Sequence, residues 1–99
     1  MKFKRTDHGE QTTLAIDGVL DTETSSALRP VIEGIVADHR RDVVLDLSGL
    51  DTVDSSGVAA IISLYRPIHG AGGTVRIEGI RDQPLAIFKL LRYDKVFGL

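Results

Sequence analysis

The run Asp42-Val43-Val44-Leu45-Asp46-Leu47-Ser48-Gly49-Leu50-Asp51-Thr52-Val53-Asp54-Ser55-Ser56-Gly57-Val58 holds the change of pattern that decides the architecture. Its first six residues crowd apolar and β-branched side chains together before Ser48 and Gly49, which predicts a central strand buried on both faces. A loop through Asp51 and Thr52 is expected next. From Val58 onward the apolar residues recur at Val58, Ile61, Ile62, Tyr65 and Ile68, the spacing of a helix with one face on a core. Strand, short loop and helix in direct succession form the repeating unit of an α/β protein.

Working outward, Gly70-Ala71-Gly72-Gly73 stops that helix, and Thr74-Val75-Arg76-Ile77-Glu78 alternates as a strand. A closing helix is expected from a cap at Asp82, with Pro84 in its first turn, through Leu85, Phe88 and Leu91. On the other side, Leu28, Val31, Ile32, Ile35 and Val36 predict an amphipathic helix, with cap oxygens available at Asp21 and Thr22. Pro30 lacks the N–H a helix interior needs, so it predicts either a kink or a start nearer Ser26. Before it, Phe3 to Asp7 and Thr13 to Val19, separated by a turn at Gly9, read as an antiparallel hairpin forming one edge of the sheet. The order strand, strand, helix, strand, helix, strand, helix predicts an α/β fold. Its small mixed β-sheet is mostly parallel, with an N-terminal antiparallel edge hairpin, right-handed crossovers and packing by helices.

Ninety-nine residues fit one domain spanning 1–99, and a chain of this size can bury about two-thirds of its surface without staples. Twelve basic against fourteen acidic side chains give a net charge of −2, so no general basic surface exists for a phosphate backbone and no nucleic-acid partner is expected. The absence of Cys removes disulfides, thiolate metal sites and thiol catalysis together. The polar opening Met1-Lys2-Phe3-Lys4-Arg5-Thr6-Asp7 does not read as a signal peptide, and Val58 to Ile62 is far short of a membrane span. A cytoplasmic protein is the expectation.

A conventional active site is hard to assemble. His8, His39 and His69 are widely separated and belong to no H-x-x-H or H-E-x-x-H spacing, so exposed loop or helix-end positions are expected and no metal. The Gly70 to Gly73 cluster leads into a strand with no Gly-Lys-Ser/Thr, which is a turn and not a phosphate loop. Asp54-Ser55-Ser56-Gly57 is not a G-x-S-x-G elbow. That segment opens a helix after a buried strand, where free N–H groups and the positive dipole end favour an anion, and a hydroxyl there could carry phosphate. Asp54, Ser55 and Ser56 are equally the residue types that cap helices, so from spacing alone both readings stand. Asp21, Asp51 and Asp54 could also be read as general acids or metal ligands of a small enzyme.

The run Val44 to Val58 resembles the signature of STAS domains, the sulfate transporter and anti-sigma factor antagonist family, and in particular the bacterial anti-sigma factor antagonists. Asp17-Gly18-Val19-Leu20-Asp21 is similar to the family's glycine-to-aspartate turn before its first helix, and Gly79 through Phe97 is similar to its closing helix and terminal strand. The resemblance implies a partner-switching phosphoprotein of signalling and transcription regulation that catalyses nothing and needs no cofactor. By it, Ser55 is the phosphorylated serine, Asp54 its preceding carboxylate, Asp21 the acidic neighbour, and Ser56 and Gly57 the small residues opening the helix; Val58 stands where many members have leucine. The implied partners are an anti-sigma factor that is also the serine kinase, of histidine-kinase-like ATPase fold, and a metal-dependent serine phosphatase. The chain is expected to be a monomer. STAS domains also resemble this chain as small subunits regulating assembly of lipid-transport ATPases, but such members often carry threonine and glycine in the acceptor segment, whereas here Ser55-Ser56 stands.

Overall fold

The computed structural model describes residues 1–99. The two ends of the first hairpin come together because Gly9, with φ +61, supplies the left-handed turn between β1 (Lys2–His8) and β2 (Gln11–Leu20). Helix α1 (Thr22–Ala37) follows, then β3 (Asp42–Asp46), β4 (Leu50–Val53), α2 (Ser55–Gly70), β5 (Thr74–Glu78), α3 (Asp82–Leu90) and the short α4 (Asp94–Phe97). The sheet runs β1-β2-β3-β5, with β4 beside the far end of β2; only the β1–β2 pair is antiparallel. The expected mixed α/β architecture is the observed one.

Register shows how the sheet is sided. Arg5 lies opposite Leu14, Leu14 opposite Leu45 and Leu45 opposite Ile77; the last three belong to the buried core with Leu28, Ile32 and Ile35 of α1, residues of α2 from Val58 to Ile68, and Phe88 of α3. The adjacent row, Lys4, Ala15, Asp46 and Glu78, points the other way, as period-two geometry requires. Val43, Val44 and Leu45 are all buried, as the sequence predicts for a central strand. Val44 nevertheless lies outside the core cluster, in register with Thr13 and Arg76 on the face away from the helices.

Four expectations are corrected. The segment through Asp51 and Thr52 is not a loop but the strand β4, which continues pairing along β2 where β3 has ended; a register shift between Gly18 and Val19 accommodates it. Helix α1 starts at Thr22 and not near Ser26. A capping box fixes that start: the Thr24 N–H donates to Asp21 Oδ1 at 3.0 Å and the Asp21 N–H to Thr24 Oγ1 at 2.8 Å. Asp82 does not cap α3. The N-cap is Arg81, whose side chain makes no capping bond, and Asp82 is the first helical residue with φ +56. Finally, no terminal strand forms. Arg92, at φ +64, turns the chain after α3, and α4 places Phe97 edge-on to Phe88 and Tyr65 at centroid distances of 5.9 and 5.2 Å. That aromatic burial holds the terminus over α2 instead of along the sheet.

Candidate functional site

The carboxyl ends of β2 and β4 deliver the chain into two helices whose first turns touch. At the end of β2, Leu20 is buried and Asp21 caps α1; at the end of β4, Val53 is buried and Asp54 caps α2. The two strand ends are tied directly, since the Asp54 N–H donates to the Leu20 carbonyl at 3.1 Å. The helices are tied two residues later by the hydroxyls of Thr22 and Ser56, 3.0 Å apart.

Within Asp54-Ser55-Ser56-Gly57 each residue has a separate task. Asp54 has extended backbone, and its Oδ1 accepts the Gly57 N–H at 3.0 Å, so the cap is Asp54. Ser56 is half-buried and turned to Thr22. Gly57 is buried where a Cβ would stand 2.6 Å from Val53 Cγ2 and 2.7 Å from the Leu20 carbonyl oxygen, so α2 can approach β2 only with glycine there. Ser55 remains: an exposed hydroxyl on the first residue of α2 that none of the chain's side-chain hydrogen bonds uses. Its surroundings suit an added anion, because the first turn of a helix presents unpaired N–H groups and positive potential.

Asp21 is brought to this end of the molecule through its helix, not through a bond to Ser55. The Thr24 backbone N–H, then its hydroxyl, hold the Asp21 carboxyl below the usual carboxylate range. Asp51 is exposed on β4. No three His, Asp or Glu side chains converge closely enough to hold a metal ion. The histidines lie elsewhere: His8 ends β1, His39 follows α1 at φ +55, and His69 is in the last turn of α2, stacked on Tyr65 at 5.0 Å, all three exposed. All three histidines thus lie away from the start of α2, and no helix is long and apolar enough to cross a membrane.

One residue of the site was not legible in the sequence. Gln83, from the first turn of α3, accepts the Val53 N–H on Oε1 and donates from Nε2 to the Val53 carbonyl, both at 2.9 Å. Beside it, Arg81 donates to the Ser48 carbonyl at 3.2 Å. A glutamine in a helix carries no local signal of a partner thirty positions away.

Comparison with known proteins bears on the family and the fold. The family described as "Mlab, STAS domain" matches residues 3–99. The anti-sigma-F factor antagonist RsfB of Mycobacterium tuberculosis (strain ATCC 25618 / H37Rv) is 30% identical over 95 residues, covering 94% of this chain and 75% of the relative. Among solved structures, an anti-sigma factor antagonist from Mycobacterium paratuberculosis superposes with a TM-score of 0.89 at 24% identity, over 97% of this chain and 81% of that one. The Bacillus cell fate determinant SpoIIAA, solved in its phosphorylated form, superposes with a TM-score of 0.76 at 17% identity, over 91% of this chain and 83% of that one.

Proposed function

Because the chain belongs to the STAS domain family, we propose that it is an anti-sigma factor antagonist, a protein-binding module switched by phosphorylation of Ser55. Unphosphorylated, it holds an anti-sigma factor and so frees the sigma factor; phosphorylated, it lets the anti-sigma factor go. The observation that carries this reading is the free Ser55 hydroxyl, exposed at the start of α2 while its neighbours are committed to capping and packing.

The physics of the switch is local. Phosphate adds about −1.5 to −2 charge to a chain whose net charge is −2, and it does so at one point. The helix end accommodates that anion, so the fold persists. A partner surface fitted to a neutral hydroxyl does not accommodate it: like-charge juxtaposition costs several kcal/mol, and about 3 kcal/mol already exceeds a hundredfold in affinity. That a relative of this fold has been solved in phosphorylated form supports the first half of this argument.

In this reading Ser55 is a substrate and the chain is not an enzyme. The kinase is the anti-sigma factor itself, with a histidine-kinase-like ATPase fold, and a metal-dependent serine phosphatase restores the hydroxyl. Pull-down with tagged variants tests it: Ser55→Ala binds the anti-sigma factor persistently, and Ser55→Asp remains folded but fails to bind. Equal binding by the two variants, or co-purification with a transport ATPase and permease in place of a kinase, overturns the reading.

A further inference from the structure

We propose that Gln83 is a positioning residue of the Ser55 switch, holding the acceptor segment at a fixed height through the backbone of Val53; this rests on the functional reading above. Strand β4 is only four residues long and pairs with β2 along one edge alone. In a parallel ladder the groups of alternate residues point to opposite edges, and here the Asp54 N–H reaches inward to Leu20. The Val53 N–H and carbonyl therefore face outward, where no strand follows. Gln83 supplies both missing partners from one carboxamide, an acceptor and a donor at 2.9 Å each, as a neighbouring strand would.

The position of this clamp gives it functional weight. Val53 is two residues before Ser55, and its buried side chain touches the space that Gly57 leaves open. The bonds to Gln83 thus fix the last residue of β4 before the acceptor turn. They also join α3 to that turn, reinforced by Arg81 on the Ser48 carbonyl and by Pro84, buried directly after Gln83. Without the clamp Val53 would exchange its partners for water and the entry to α2 would move. A displacement of about 1 Å at a reacting group costs on the order of a hundredfold in rate, whereas the exposed edge of a short strand contributes little to global folding.

The test uses the full chain with Gln83→Met, which keeps the side chain's length but has neither hydrogen-bonding group, and Gln83→Glu, which keeps only the acceptor. Amide hydrogen exchange at Val53 and Ser55 is measured by NMR, together with kcat and KM for Ser55 phosphorylation by the kinase that modifies the wild type, below the unfolding temperature. Expected results for Gln83→Met are at least tenfold faster exchange at Val53, and kcat lowered about tenfold or more with KM within about twofold, Gln83→Glu lying between. Unchanged exchange, or faster exchange with unchanged kcat, overturns the proposal. A wild type that no kinase modifies sinks the functional reading and this proposal with it, whereas equal kcat for wild type and variants sinks this proposal alone.

Discussion

The hydroxyls of Thr22 and Ser56 meet at 3.0 Å, so the first residue of α1 touches the second residue of α2. Two helix N-termini are thereby held side by side at one end of the sheet, each already carrying an aspartate cap. The contact is exposed, and a neutral hydrogen bond contributes a net of about 0.5–1.5 kcal/mol at most. Thr22→Val and Ser56→Ala are each expected to destabilise by less than about 1 kcal/mol, with a coupling energy of about 0.5 kcal/mol in a double-mutant cycle read by urea unfolding. Strict additivity would mean that water serves both hydroxyls equally well.

Gly57 separates steric need from helix propensity. Alanine is normally the better helix former by about 1 kcal/mol, but at this position its methyl group meets Val53 Cγ2 and the Leu20 carbonyl below 3.0 Å. Gly57→Ala is therefore expected to destabilise by about 1–3 kcal/mol, the usual cost of overpacking. Gly70, in the same helix with nothing within 4 Å of its added Cβ, is the control. Gly70→Ala should leave the urea midpoint unchanged or raise it slightly. If both substitutions behave alike, the close approach of α2 to β2 is not what glycine provides.

These two positions also mark the limit of what the sequence disclosed. Helical spacing in Leu28 to Val36 and Val58 to Ile68, and alternation in Thr74 to Glu78, are local patterns imposed by a single core, so they could be read directly. Strand β4 could not. With Leu50 and Val53 buried around two exposed residues it has neither period, and it is a strand only because β2 is long enough to offer it an edge. The start of α1 was open between Thr22 and Ser26 because Pro30 and the cap at Asp21 give opposing signals; the reciprocal bonds with Thr24 prevail. At the site, residue types pointed to Asp54 and Ser55 but did not divide capping from exposure between them. The Thr22–Ser56 contact and the Gln83 clamp join residues thirty or more apart in sequence and exist only once the chain has folded.

Stability should fall on acidification, for reasons that can be assigned to two residues. The Arg5 guanidinium, then the Thr12 hydroxyl, hold the Asp7 carboxyl below its usual range, and Thr24 does the same for Asp21. A carboxyl whose native pKa is depressed binds its proton more readily in the unfolded chain, so it favours folding fully above the unfolded value near 3.8. That contribution is lost as pH falls through the lower native value. Urea midpoints measured from about pH 6 down to about pH 2.5 should therefore decline most steeply below about pH 4. Asp7→Asn is expected to flatten part of that decline while lowering the midpoint at neutral pH. An unchanged acid limb would show that the Arg5–Asp7 pair, exposed as it is, does not act on folding.

Charge and volume make different predictions for the release step. A phosphate on Ser55 is both larger and more negative than a hydroxyl, and a partner could be expelled by either property. Ser55→Glu and Ser55→Gln divide them, since the two side chains have nearly the same shape and differ by one charge. At physiological ionic strength, where charges are screened over about 8 Å, Ser55→Glu is expected to weaken binding of the anti-sigma factor about a hundredfold and Ser55→Gln by less than about tenfold. Ser55 is exposed, so the repulsion passes partly through solvent and responds to salt. At about 1 M, where the screening length is about 3 Å, the Glu and Gln variants should converge. If they are equally weak at both salt concentrations, the partner is excluded by size at this position and electrostatic repulsion is not the switch.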